Sequence, residues 1–194
     1  MQPRVAFCGG SGAGKSTYAD YLADHWKFER LSIARPMKAG VRATARALNE
    51  AGVATVNVDD KGQMVGAMIA AGEALRAEDP DILIESAIRR GRLSTDRADV
   101  PGIVVDDVRY PNEAEGLKRL GFRVIRLQAS DGTAKARVEK RDGFVSQALA
   151  TSPMEEALKY VVHDEMWENE TEEDRAANLL RCDALAGTMP DDQA

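Results

Sequence analysis

The stretch that decides the fold runs from residue 5 to residue 17 and reads Val5-Ala6-Phe7-Cys8-Gly9-Gly10-Ser11-Gly12-Ala13-Gly14-Lys15-Ser16-Thr17. Val5 to Cys8 is a short apolar run with strand character, and residues 9–16 fit the pattern G-x-x-x-x-G-K-[ST] of a phosphate-binding P-loop. The glycines let the backbone curl so that several N–H groups point into one concavity, which suits an anion. A helix begun at Lys15 adds its N-terminal partial charge. Lys15 is the expected catalytic point charge on the β- and γ-phosphates, and the Ser16 hydroxyl is an expected Mg²⁺ ligand. Gly9, Gly10, Ser11, Gly12, Ala13, Gly14, Lys15, Ser16 and Thr17 are therefore the expected ATP-binding residues, with ATP and Mg²⁺ as cofactors.

Working outward, the 194 residues suit one domain with excursions, and 44% hydrophobic residues suffice for a core. The net charge of −6 argues against a duplex nucleic-acid binder. The two cysteines, Cys8 and Cys182, show no metal-type spacing with the two histidines, and no disulfide framework is expected. No apolar run approaches membrane-spanning length and no signal peptide is read, so the expected setting is a reducing cytoplasm.

In chain order, residues 15–26 read as a helix and residues 28–33 as a strand. Residues 34–50 form an amphipathic helix whose Lys38, Arg42 and Arg46 share a face, with Lys38 placed to hold a second anion. Residues 51–62 read as a loop, residues 63–78 as a helix, and residues 80–90 as a helix capped by Asp79 and stopped by Gly91. Residues 102–108, GIVVDDV, are a buried-type strand ending in acids, the Walker B arrangement. Alternation lets only one of Asp106 and Asp107 face the metal. A helix over 111–120 and a strand over 122–127 follow. The basic helix over 133–141 carries Arg137 and Arg141 on one face and is read as a lid whose guanidiniums clamp the transferring phosphoryl group. Residues 153–162 read as a helix, 164–171 as an acidic connector, and 172–185 as a closing helix. Residues 189–194 are expected to be disordered.

Alternating strands and helices imply a three-layer α/β/α sandwich on a mostly parallel sheet, with nucleotide at the carboxyl ends of the strands. The whole is expected to form one domain over residues 1–188, with an acceptor-binding excursion at about 34–100 and a lid at about 131–152. No guanine-reading N-K-x-D is present. Two basic segments near the P-loop suggest two anionic substrates meeting, hence a small-molecule kinase. A phosphate acceptor is already an anionic nucleophile and requires no general base.

The stretch 107–127, DVRYPNEAEGLKRLGFRVIRL, resembles the corresponding block of bacteriophage-type deoxynucleoside monophosphate kinases, with a D-x-R-[FY]-P-N-E core at Asp107, Arg109, Tyr110, Pro111, Asn112 and Glu113. SIARPMK at 32–38, GEALRAEDPDILI at 72–84 and the acidic segments near 152–174 are similar to that family in the same order. The resemblance implies transfer of the ATP γ-phosphoryl group to a (deoxy)nucleoside 5′-monophosphate. It implies Ser16 and Asp107 on the Mg²⁺ side and Asn169 near the nucleotide base. Ser32, Lys38, Arg76 and Arg109 become acceptor contacts, Asn112 and Glu113 readers of base or sugar, and a homodimer becomes plausible. From the residues alone, Arg76 reads as a helix-surface ion pair with Glu73 or Asp79. Leu83, Arg35 and Glu73 depart from the family pattern around the acceptor pocket.

The nearest alternatives are kinases of other phosphorylated small molecules, of the phosphomevalonate or dephospho-coenzyme A type. Asn112 and Glu113 weigh against an isoprenoid acceptor. A non-catalytic ATP-binding regulator is the rival from another class, and a DNA motor is disfavoured by the acidic balance.

Overall fold

The computed structural model describes residues 2–89, 99–143 and 152–187. The expected stop at Gly91, most of the polar stretch after it, the lid beyond residue 143 and the tail at 189–194 lie outside the described residues. The elements are β1 (Arg4–Cys8), α1 (Lys15–Trp26), β2 (Glu29–Leu31), α2 (Arg35–Glu50), α3 (Lys61–Glu78), α4 (Ile82–Arg89), β3 (Ile103–Val108), α5 (Pro111–Arg119), β4 (Arg123–Gln128), α6 (Asp131–Asp142), α7 (Pro153–Ala157), a 3₁₀ turn (Leu158–Tyr160), β5 (Glu165–Glu168) and α8 (Glu172–Gly187).

The five strands form one sheet in the order β2-β3-β1-β4-β5, and every neighbouring pair is parallel. Parallel strands need covered faces, and alternation along β1 supplies both. Val5 and Phe7 join Tyr18, Leu22, Trp167 and Cys182 on the α1/α8 side. Ala6 and Cys8 join Ile84, Ala87, Ala114 and Leu117 on the α4/α5 side. The expected three-layer α/β/α sandwich is the observed fold. β1 and β3 are adjacent, so the loop after β1 and the acids ending β3 meet at the carboxyl edge of the sheet.

Three expected elements differ. The acidic connector at 164–171 contains β5, an edge strand carrying one buried side chain, Trp167, which packs edge-on against Phe7 and Tyr18. The helix expected over 153–162 is five residues of α7 followed by the 3₁₀ turn. Helix α3 starts two residues earlier than its apolar periodicity, because the Asp60 carboxylate caps it by accepting from the N–H groups of Gly62 (2.7 Å) and Gln63 (3.3 Å).

Helices α2 and α3 stand off the sheet as an arm. No residue of α2 is buried, and the helix packs chiefly on α3. Its apolar stripe supplies Met37, which reaches the α4/α5 core from the base of the arm.

Candidate functional site

The loop between β1 and α1 owes its shape to glycines. Gly12 (φ +83°) and Gly14 (φ +101°) hold left-handed backbone that L side chains rarely adopt. They are also crowded from behind: a Cβ on Gly12 would fall 2.2 Å from the Ala134 carbonyl oxygen, and one on Gly14 2.2 Å from Asn169 Nδ2. Lys15 Nζ donates to the carbonyls of Gly9 and Gly10, both at 2.7 Å. Its pKa is pushed well below the usual lysine range, first by burial and then by Arg109, with Glu155 and Asp106 acting in the opposite direction. An ammonium held this way is poised to exchange carbonyl partners for phosphate oxygens.

The acids of β3 divide between the two faces of the sheet. Asp106 follows Val104 in alternation, on the α1 side, and Ser16 Oγ donates to its Oδ2 at 3.0 Å. Asp107 follows Val105 onto the opposite face. There it accepts from Ser32 Oγ (2.5 Å), Ile33 N–H (2.9 Å) and Ala34 N–H (3.2 Å), and Lys38 Nζ lies 3.7 Å from it. The carboxylate beside the P-loop hydroxyl is thus Asp106, which corrects the expectation placed on Asp107. The reason is the period of a strand: α1 covers the Val104 face, so only an even-numbered residue here can reach Ser16. Two adjacent hard oxygens, Ser16 Oγ and Asp106 Oδ2, fit the donor type that Mg²⁺ takes. Arg30, on β2, also pairs with Asp106 and with Asp20.

The expected acceptor contacts separate into two groups. Ser32, Lys38, Arg76 and Arg109 all line one cleft of about 890 Å³ that is continuous with the P-loop. Arg109 Nη1 donates to the Gly9 carbonyl (3.0 Å) and to Glu155 Oε1 (3.3 Å), so it sits at the root of the P-loop while lining the same cleft. Arg76 lies 3.9 Å over the Tyr110 ring, and its Nη2 donates to Glu113 Oε1 at 2.8 Å.

Asn112 and Glu113 do not reach the cleft. Asn112 Nδ2 donates to the Pro80 carbonyl (2.7 Å) and to Asp81 Oδ1 (2.8 Å), tying α5 to the α3–α4 turn. Glu113 is buried, and its Oε2 accepts from the N–H groups of Arg109 (2.8 Å) and Tyr110 (3.2 Å). Glu113 thus serves the first turn of α5, where unpaired N–H groups need acceptors, while Asn112 is spent on the α3–α4 turn, and the expectation that they read base or sugar is corrected. Burial raises the Glu113 pKa, against the lowering by Arg76 and the hydrogen bonds it accepts.

Asn169 is likewise spent on structure. Its Oδ1 accepts from Tyr18 Oη (2.6 Å) and its Nδ2 donates to the Ala13 carbonyl (2.8 Å). Asn178 Nδ2 completes the buried chain, donating to Tyr18 Oη (3.2 Å) and the Glu168 carbonyl (2.8 Å). The side chain expected near the base lines the cleft and braces the P-loop from behind. Arg137 and Arg141 both line the cleft. Arg137 donates to the carbonyls of Asn169 (2.7 Å) and Glu170 (3.3 Å), while Arg141 grips Asp142 through Nε (2.8 Å) and Nη2 (2.7 Å).

Among the described residues, nine basic and five acidic side chains line this cleft, in a chain whose net charge is −6. Arg30, Lys140 and Arg175 are among them, and sequence reasoning missed all three. Arg30 carried a signal, since it precedes buried Leu31 on a strand ending at the sheet's carboxyl edge. Val65, Met68, Ile69 and Met37 give the arm side an aliphatic wall.

A family model described as AAA domain matches residues 5–149. None of the curated proteins matches the sequence. Among solved structures, TT1252 from Thermus thermophilus superposes with a TM-score of 0.56 at 20% identity, covering 98% of this chain and 100% of that one. An uncharacterized protein from Eubacterium ventriosum ATCC 27560 gives 0.52 at 11% identity, covering 97% and 100%. A gluconokinase from Sinorhizobium meliloti 1021 gives 0.48 at 14% identity, covering 96% and 94%. The superpositions above 0.5 agree with the sandwich described above, and the family match spans β1, the P-loop, β3 and α6. The chain belongs to the AAA domain family.

Proposed function

We propose that this protein transfers the γ-phosphoryl group of ATP to a small acceptor that itself carries a phosphate, a (deoxy)nucleoside 5′-monophosphate, giving the diphosphate. One observation carries the reading: the P-loop opens into a basic cleft that has further cations outside the loop, Lys38, Arg76 and Arg109. Two phosphate-bearing molecules can meet there.

In this reading Lys15 and the loop amides hold the ATP phosphates. Ser16 and Asp106 would hold Mg²⁺, which would supply positive charge to offset that of the ATP phosphates. Lys38 and Arg76 hold the acceptor phosphate. Arg109 and the lid residues Arg137 and Arg141 stabilise the oxygens of the group in flight. The attacking acceptor oxygen is already anionic. It forms the new P–O bond as the bond to the β-phosphate oxygen breaks, and no side chain need take a proton.

A coupled assay of ADP release, run with ATP and Mg²⁺ against all common deoxynucleoside and nucleoside monophosphates, tests the reading. Turnover on nucleotides is the expected result. The aliphatic wall, and the withdrawal of Asn112 and Glu113 from the cleft, favour a second acceptor class of phosphorylated metabolites without a base to be read. Mevalonate 5-phosphate, which carries no base, therefore belongs in the same panel, with dephospho-coenzyme A beside it as a base-bearing acceptor of another kind. Turnover on one of them alone would replace the nucleotide reading. ATP binding with no turnover on any acceptor would favour a regulator.

A further inference from the structure

We propose that Glu73 is a specificity-determining residue, a carboxylate that accepts a hydrogen bond from a hydroxyl group the acceptor carries next to its phosphate. The inference rests on the phosphotransfer reading given above and deepens it.

Glu73 lines the acceptor half of the cleft, on the α3 face that also presents Ile69, Gly72 and Arg76. A carboxylate here opposes the binding of an anionic acceptor unless it receives a proton donor from that acceptor. Glu73 is not required as the counterion of Arg76. Glu113 fills that role at 2.8 Å, whereas the approach of Glu73 to Arg76 Nη1 is 3.9 Å.

Its orientation is set by Tyr110, whose hydroxyl donates to Glu73 Oε1 and whose ring lies 3.9 Å under the Arg76 guanidinium. Among the described residues, the contacts from Tyr110 and Arg76 both fall on Oε1. Oε2, on a side chain one-third exposed to the cleft, is the oxygen left for a ligand.

Spacing selects the donor. Glu73 and Arg76 are three residues apart, a rise of about 4.5 Å along the helix. With a phosphate on Arg76, a donor at that reach is a neighbouring hydroxyl rather than a distant base edge. In a deoxynucleotide it is the 3′-hydroxyl, and in mevalonate 5-phosphate the 3-hydroxyl.

The test compares KM and direct calorimetric affinity for a deoxynucleoside monophosphate and its 2′,3′-dideoxy counterpart, in the wild-type protein, Glu73→Gln, Glu73→Ala and Tyr110→Phe. Affinity for an ATP analogue and the thermal midpoint serve as controls for folding. The wild-type protein is expected to bind the dideoxy compound about tenfold to a hundredfold more weakly, the range for a hydrogen bond to a charged group. In Glu73→Ala the two compounds are expected to bind alike, with Glu73→Gln and Tyr110→Phe in between. An unchanged ratio in Glu73→Ala, with phosphoryl transfer to the deoxynucleotide intact, overturns the role of Glu73 and leaves the nucleotide reading standing. If mevalonate 5-phosphate is the acceptor instead, the nucleotide reading falls, and the same ratio is read against its 3-deoxy analogue with the same two outcomes. Binding of no phosphorylated acceptor by any variant overturns both.

Discussion

Asp106 and Asp107 are neighbours in sequence with opposite assignments, one beside Ser16 and the other beneath the β2–α2 junction. Asp106→Asn is expected to lower kcat by about a hundredfold or more through the lost metal ligand and to raise the Mg²⁺ concentration needed for half-maximal rate. Asp107→Asn is expected to act mainly on the acceptor KM, through Ser32 and Lys38. Steady-state titrations of metal and acceptor separate the two. Equal effects on both titrations would show that the faces are not independent. Alternation could tell that one acid faces the metal, but not which, because that depends on the side α1 takes after the loop. Glu113 teaches the same at a buried position. In sequence it is one member of a motif, while in the fold its two oxygens serve Arg76 and the start of α5. Glu113→Ala leaves the Arg76 guanidinium without its buried partner and should cost about 3 kcal/mol of stability, read by urea denaturation.

Elements that announce themselves by apolar periodicity were legible: β1, α1, β2, α2, β3, α5 and β4 lie within a residue or two of their expected bounds. β5 was not, because an edge strand with one buried residue has no alternation to read. With β5 unrecognised, the bracing contact of Asn169 behind the P-loop could not be read. Tyr18→Phe and Asn169→Ala are each expected to raise the ATP KM several-fold and to destabilise the fold by about 1–3 kcal/mol, since each strands a buried polar partner. An ATP KM unchanged in both variants would deny the brace any part in shaping the loop. On the same side, Glu170 clasps the start of α6, accepting from the Ser130 N–H and hydroxyl and from the Thr133 hydroxyl. Those bonds, the side-chain ones first, hold its pKa at about 2, below the usual 4.5. A depressed carboxylate favours the folded form above the ordinary value and loses that contribution as pH falls towards 2. The thermal midpoint of wild type should therefore drop more steeply between about pH 4.5 and 2 than that of Glu170→Gln, as scanning calorimetry at several pH values would record.

At the scale of the whole molecule, charge is segregated: an acidic chain encloses a cleft with a basic excess. Both substrates should therefore bind more weakly as salt rises. Raising ionic strength from about 0.05 M to 0.5 M, which shortens the screening length to a few ångströms, is expected to increase both KM values while kcat changes little. The fold class was readable from the P-loop and the strand–helix alternation, because covalent spacing alone dictates both. The acceptor half of the cleft was not, because α3, α5 and the β2–α2 junction meet there only after the chain has folded back on itself. One consequence follows from the contact between Asn169 and Ala13. The loop that defines the protein is encoded at residues 9–16, yet the side chain that braces it is translated more than 150 residues later. Until residue 169 has emerged from the ribosome, the nascent chain carries the P-loop without the brace behind Ala13. Nucleotide arriving before then meets a loop that lacks this support.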